Sequence, residues 1–357
     1  MKNITLLMTG VGGPGAGGYI YSLKQNGERN IRIIGTDIKD DIDPVTRDSI
    51  DGFYIIPKAN TEPYLKELLA ICQKEKVDVL LPLNTIELRY LSSHQSDFNA
   101  VGTTVCVVSV DTLDVVNNKA VLLTTLQQLG IETPEFYVVR SVEDFESAAR
   151  KLGYPEKPFV IKRPDANGSR GMRFIDASVS RVDLYLNTKP HSTYAGYEDM
   201  MAILPEVFER TELVLMEMLT GKEYSVDTLV NHGEIMSSVC RRVDVVIDSI
   251  NVDSTIVQRQ DVIEYCNQIS SRLGIDGFIG YDLKMTEDDK PRILEINPRL
   301  QATTILSVLG GVNFPYYIVK KALGEEFNIA APVEGIRTAQ RKQKLFFSPE
   351  GDTILKL

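Results

Sequence analysis

The strongest constraint on the fold lies in the first 110 residues, where short apolar runs alternate with helix-patterned stretches. Ile4–Thr9, Ile31–Gly35, Phe53–Ile56, Val79–Pro82 and Thr104–Val108 read as strands, and Gly17–Asn26 and Glu62–Lys74 read as helices. Such an alternation buries its apolar residues as a parallel sheet with helices on its faces, an α/β architecture. The leading Ile4-Thr5-Leu6-Leu7-Met8 run is short and enters glycines at once. It therefore reads as the first strand and not as a signal peptide.

The turn after that strand admits two functions. Gly10-Val11-Gly12-Gly13-Pro14-Gly15 fits G-x-G-x-x-G, and Asp37 ends the second strand, about 20 residues on, where a dinucleotide fold places its ribose carboxylate. An NAD(P)-dependent oxidoreductase is one reading. Against it, the loop runs on through Ala16, Gly17 and Gly18. The only histidines, His94, His191 and His232, form no cluster that could serve hydride transfer. Otherwise the loop approaches a substrate or simply makes a tight turn.

Further along, lysines occur where phosphate would explain them. Asn117-Asn118-Lys119 opens a helix with Val121, Leu122, Leu126 and Leu129 apolar, and Gly130 ends it. A helix start favours anions, so Lys119 there suggests an anionic ligand held with the free amides; the alternative is an ordinary exposed lysine. After a strand at Phe136–Val138 and a helix at Val142–Leu152, the run Pro158–Pro164 is an apolar strand carrying Lys162 near its end. The polar loop Asp165–Met172 follows, then strand Arg173–Ile175. Strand, lysine, glycine-containing loop and strand make a phosphate-clamping plan, although a plain hairpin also accounts for the glycines. The helix-opening P-loop motif is absent.

Leu213–Leu219 is another apolar strand and contains Glu217. A buried carboxylate must be paired or used; adenine and ribose groups would serve, as would a structural salt bridge. Strand Tyr224–Val230, a turn at Asn231-His232-Gly233 and strand Glu234–Val239, ending in Arg241-Arg242, follow. Helix Asp261–Leu273 precedes a final hairpin of Phe278–Met285 with Arg292–Ile296.

That last strand stops at Pro298 and carries Glu295, Asn297 and Arg299 at alternate positions, so Glu295 and Asn297 share a face. Two hard-oxygen donors suit Mg²⁺, which keeps few protein ligands and shares substrate phosphates. Hairpin pairing can set Asp282 beside Glu295, and two carboxylates in adjacent strands call for a cation between them. Arg299 adds a fork for a carboxylate or phosphoryl group.

Composition narrows the class. A chain of 357 residues suffices for two or three domains. Its net charge of −10, without a long basic run, argues against a nucleic-acid surface but not against a locally basic phosphate site. Cys72, Cys106, Cys240 and Cys266 are scattered, which suits reduced thiols in a cytoplasm. No apolar run reaches membrane-spanning length.

With Lys119, Lys162, the Asn167–Gly171 loop, Glu217, Glu223, Asp282, Glu295, Asn297 and Arg299 in this order, the chain resembles ATP-grasp enzymes. It is most similar to the carbamoyl-phosphate-synthase-like carboxylate–amine ligases. The resemblance implies a Rossmann-like pre-ATP-grasp domain over 1–110 and a two-lobed α+β ATP-grasp domain over 111–326. A lid subdomain at about 135–216 and a C-terminal extension over 327–357 complete the plan; Gln343–Phe347 and Thr353–Leu355 could pair as a hairpin. By the same resemblance, Lys119 and Lys162 bind ATP phosphates, and Asn167, Gly168, Ser169 and Gly171 form the lid loop. Glu217, Met218 and Leu219 meet adenine and Glu223 the ribose, while Asp282, Glu295 and Asn297 hold Mg²⁺, with Mn²⁺ as a substitute. Arg299, Arg241 and Lys162 serve catalysis. The implied reaction activates a small-molecule carboxylate with ATP and joins it to an amine; a family member that only binds ATP or phosphorylates is the alternative. A single set of motifs disfavours carbamoyl phosphate synthesis itself. The chain could pair as a homodimer.

Overall fold

In a computed structural model of the chain, the structure describes residues 1–166, 168, 170–188, 192–247, 250–339, 345–347 and 353–356. Five parallel strands form the first sheet: β1 (Ile4–Thr9), β2 (Ile31–Asp37), β3 (Gly52–Ile55), β4 (Val79–Leu81) and β5 (Thr104–Val105). Their order is β3-β2-β1-β4-β5. Leu6, Leu7, Met8, Ile33 and Ile34 are fully buried, as befits central strands covered by helices on both faces. Strand order reverses between β1 and β4, and open α/β sheets place their ligand crevice at the carboxyl ends of such strands. The glycine loop leaves β1 at that end, and helix Thr85–Ser93 starts just after β4.

The second sheet is antiparallel, with β6 (Phe136–Val139), β7 (Phe159–Lys162), β8 (Arg173–Ile175) and β9 (Leu213–Glu217) in the order β6-β9-β7-β8. Helices Val142–Lys151 and Tyr197–Phe208 complete a separate core around Phe145, Phe159, Ile161, Leu204 and Leu215. The third sheet contains β10 (Glu223–Asn231), β11 (Glu234–Ile247), β12 (Ile250–Ile256), β13 (Gly277–Met285), β14 (Pro291–Asn297) and β15 (Arg337–Ala339), ordered β14-β13-β10-β11-β12-β15. Helices Lys119–Gln128 and Gln260–Arg272 share its main core. Its other apolar residues, Leu229, Val239 and Phe278, join one cluster with Leu6, Met8, Leu23 and Ile33 of the parallel unit. A short hairpin pairs β16 (Leu345–Phe347) with β17 (Thr353–Lys356). The fold is thus the expected mixed α/β arrangement.

Several local expectations are corrected. The strand expected to end at Arg241-Arg242 continues to Ile247, pairing along β12, which was not foreseen. The segment from Asp111 splits into helices Val110–Val116 and Lys119–Gln128, and Val121 is exposed while Leu123 is buried. Helix Thr85–Ser93 escaped notice although Asn84 and Glu87 stand in capping-box spacing. The turn at Asn231-His232-Gly233 has positive φ at His232 and Gly233, the geometry of tight hairpins.

Candidate active site

The site is built outward from the end of β14. Asp282 pairs directly with Glu295, and the ladder slips by one residue immediately afterwards, so Leu283 faces Ile293. This bulge shifts the side-chain alternation. Ile293 and Ile296, three apart, both reach the core. Glu295 and Asn297 face each other across one turn of the pleat, with Asn297 Nδ2 donating to Glu295 Oε1 at 3.2 Å and to Asp282 Oδ2 at 3.0 Å. Ser225 Oγ donates to Asp282 Oδ1, and Gln301 Nε2 lies 3.0 and 3.1 Å from the two Asp282 oxygens. Burial, followed by the Glu295 charge, pushes the Asp282 carboxyl above its ordinary range.

Two lysines, one opening a helix and one ending a strand, act on these carboxylates. Asn118 caps helix Lys119–Gln128 with its side chain, so Lys119 opens the helix as expected. It is no surface residue: it is only 9% exposed, and its Nζ lies 3.3 Å from Glu295 Oε2 and donates to Ala166 O at 2.7 Å. Lys162 ends β7. Burial pulls its ammonium down to about 8, partly resisted by Glu295, while the Lys119 charge lowers it further. Burial raises Glu295, but Lys119 and Lys162 outweigh that and hold it below its usual value. Glu223, at the start of β10, is pushed up by burial and also feels Lys162 and Glu295. Among the described residues no group of three or more His, Cys, Asp or Glu side chains could hold a metal ion alone. A divalent ion at Glu295 and Asn297 would need phosphate oxygens and water to complete its shell, as Mg²⁺ typically does.

A longer axis runs from Lys162 back along β7. Val214 of β9 lies opposite Lys162, and Glu217 lies opposite Phe159, a separation of roughly 10 Å at the rise of a strand. Glu217 Oε1 accepts from Glu135 N at 2.8 Å, and the strand passes into Met218 and the buried Leu219. Between β7 and β8, Gly168 and Gly171 both take positive φ, and a Cβ on Gly171 would strike the Arg163 side chain. Asn167 and Ser169 of this loop, like His191, lie outside the described residues.

The guanidinium groups differ sharply. Arg299 Nε donates to Thr85 Oγ1 at 3.0 Å and Nη1 to Leu300 O at 2.9 Å, while Nη2 has no partner among the described residues. This ties the end of β14 to the helix that follows β4. Arg241, expected at the substrate, is fully buried; both Nη atoms bind Asp227, and the group also donates to Ser307 and Gln301. Its long buried strand, not a strand end, accounts for that placement. Arg242 pairs with Asp244. Tyr19, 3% exposed, has a hydroxyl without a partner among the described residues and lies in the field of Arg299, Asp227 and Arg241.

The glycine loop is closed by its own neighbours. Asp37 accepts from Gly12 N at 2.9 Å and Ile38 N at 2.7 Å, so the carboxylate a ribose would need is already engaged. Gly10 has φ +65°, and a Cβ there would collide with the Asn84 amide. The sequence reading overlooked Ser225, Gln301, Thr85 and Tyr19, all single polar residues outside any motif. Only Gln301 had a signal, lying next but one to Arg299.

The four cysteines are free, and no helix among the described residues is long and apolar enough to cross a membrane.

Comparison with known proteins accords with this geometry. The family described as "ATP-grasp in the biosynthetic pathway with Ter operon" matches residues 209–344, and "PylC-like, N-terminal domain" matches residues 6–106. Residues 209–344 are thus similar to an ATP-grasp family, over less than half of the chain. It is 22% identical over 232 residues to the carbamoyl phosphate synthase large chain of Archaeoglobus fulgidus, covering 63% of this chain and 20% of that one. It is 25% identical over 328 residues to the same protein of Caldanaerobacter subterraneus, covering 86% and 27%. The chain therefore spans about a quarter or less of these relatives' length. Its fold is similar to N5-carboxyaminoimidazole synthetase of Staphylococcus aureus complexed with ADP, with a TM-score of 0.66, 16% identity and coverage of 91% and 79%. It is also similar to an L-amino acid ligase from Bacillus licheniformis, with a TM-score of 0.63, 16% identity and coverage of 94% and 75%.

Proposed function

We propose that the chain is an ATP-dependent carboxylate–amine ligase that forms an amide or peptide-like bond and releases ADP and phosphate. The observation that carries this reading is that Lys119 and Lys162 both act on Glu295, beside Asn297, with Glu217 at the far end of the β7–β9 pairing from Lys162. Glu217, Met218 and Leu219 would meet adenine, and Glu223 the ribose. Lys119, Lys162 and the loop carrying Asn167, Gly168, Ser169 and Gly171 would hold the phosphates. Glu295 and Asn297, with Asp282 behind them, would hold Mg²⁺, which Mn²⁺ could replace; the ion supplies charge neutralisation on the phosphoryl oxygens.

Chemically, a substrate carboxylate oxygen attacks the γ-phosphorus while the bond to the β–γ bridging oxygen breaks and ADP leaves. The amine nitrogen then attacks the acyl carbon, the acyl–phosphate bond breaks, and the nitrogen loses its proton. No covalent nucleophile on the protein is needed. Lys162 follows the charge moving across the phosphoryl group, and the unpartnered Nη2 of Arg299 faces the acid being activated. Arg241 supports that arrangement from within the core. The acid and amine are small molecules, the reaction is set in the cytoplasm, and a homodimer suits this superfamily.

ADP release from MgATP, screened over pairs of carboxylic acids and amines, tests the reading. Lys162→Ala and Glu295→Ala should abolish it while leaving the folded protein intact; a fully active Glu295→Ala protein would sink the metal assignment. Amine-independent ADP release would favour phosphorylation without ligation. Thermal stabilisation by NAD(P)H but not by MgATP would restore the dehydrogenase reading.

A further inference from the structure

We infer that Asp282 is not a metal ligand but the last member of an orienting relay, Asp227–Arg241–Gln301–Asp282, that turns the carbonyl of Asn297 toward the metal. The inference rests on the proposed nucleotide site and refines it.

The argument counts lone pairs. An ionised carboxylate offers about four acceptor positions. On Asp282, Oδ1 takes Ser225 Oγ and Gln301 Nε2, and Oδ2 takes Asn297 Nδ2 and Gln301 Nε2. Three donors thus give each oxygen two contacts, with Gln301 Nε2 bridging the pair. Each oxygen of Glu295, by contrast, has one neighbour: Asn297 Nδ2 at Oε1 and Lys119 Nζ at Oε2. The carbonyl oxygen of Asn297 has no hydrogen-bond partner among the described residues. Coordinating capacity therefore sits on Glu295 and Asn297.

With Asp282 ionised, the direction of every amide in the relay follows. Arginine only donates, so Gln301 must turn Oε1 toward Arg241 Nη2, 3.1 Å away, leaving Nε2 for Asp282. An ionised Asp282 only accepts, so Asn297 must give it Nδ2. The second N–H of that amide goes to Glu295, which leaves Oδ1 free. The buried Asp227 holds Arg241 at the head of the relay. Gly280 makes room for it: a Cβ there would lie 2.7 Å from Gln301 Cδ.

A double-mutant cycle read with Mn²⁺ in the presence of ADP tests this. Affinity comes from electron paramagnetic resonance, and the number of metal-bound waters from ¹⁷O-water line broadening. If Asp282 acts only through Asn297, Asp282→Ala weakens Mn²⁺ binding about 10-fold or more in the wild-type background, the usual scale for residues behind a ligand. In the Asn297→Ala background it should change affinity by less than about 3-fold and add no further water. Asp282→Asn keeps the volume but sets a donor against donors, and it should follow the same pattern if the alanine variant folds poorly. A second additional water, or a full 10-fold loss in the Asn297→Ala background, makes Asp282 a ligand and overturns the relay. Glu295→Gln is the control: wild-type Mn²⁺ affinity in that variant removes the metal site itself, and the relay with it.

Discussion

The buried pair of Asp227 and Arg241 gives a prediction that needs no knowledge of the substrate. Both side chains are fully buried, and Arg241 Nη2 lies 2.9 Å from Asp227 Oδ1. Removing one partner strands the other charge in the core, which costs about 3–5 kcal/mol. Asp227→Leu and Arg241→Met should each lose that much, a shift of roughly 1–1.7 M in the urea midpoint for a slope near 3 kcal/mol per molar. The double variant has no stranded charge. It leaves Gln301 Oε1 without its donor and Ser307 Oγ without both its donor and its acceptor, a penalty of about 1–3 kcal/mol. The coupling energy should therefore be at least about 3 kcal/mol. Far-UV circular dichroism is a suitable probe, because the chain has no tryptophan. Additive losses, or single variants that unfold at the wild-type midpoint, would refute the reasoning.

Two further outcomes follow from the geometry. Lys162, pulled down to about 8 by burial, loses its charge in the nucleotide-free protein as pH rises past that value. The KM for ATP should then climb about tenfold per pH unit above 8, whereas Lys162→Arg, which stays protonated, should show no such break; a break in both profiles contradicts the assignment. The same depression means the unfolded chain binds the extra proton between pH 8 and the ordinary lysine range, so this group's contribution to stability rises with pH across that window. Gly10→Ala places a side chain at φ +65° against the Asn84 amide and should cost about 1–3 kcal/mol in urea unfolding; an unchanged midpoint would show that the loop can relax.

The fold was legible where one period dominated. The β1 run matched its strand end to end, and the pairing of Asp282 with Glu295 followed from counting along the last hairpin. Helix Thr85–Ser93 was not, because its signal was a single cap and not an apolar stripe. In the site, the residue types at Lys119, Lys162 and Glu295 are what suggested phosphate chemistry from the sequence. The state of each side chain did not follow from its type. Arg241 and Arg299 look alike in sequence, yet one is spent on a carboxylate from the neighbouring strand and the other keeps an Nη2 without a partner among the described residues. Partners that lie far apart in the chain, such as Gln301 for Arg241, carry no local pattern.

The division of the apolar cores has a mechanical consequence. The parallel unit and the six-stranded sheet share one cluster, which helix Phe314–Ala322 also joins, and Arg29 of the parallel unit bonds Tyr316 of that helix and Glu325 just beyond it. Rotating one against the other would tear open that common interior. The four-stranded sheet has an interior of its own on one face, while Val214 and Met216 of β9 join the main core of the six-stranded sheet, and Lys119 adds hydrogen bonds from its amide to Pro164 O and from its ammonium to Ala166 O. Arg299 and Thr85 lie on the two units that share the common interior, so the hydrogen bond between them belongs to a pairing that cannot open without exposing apolar side chains to water.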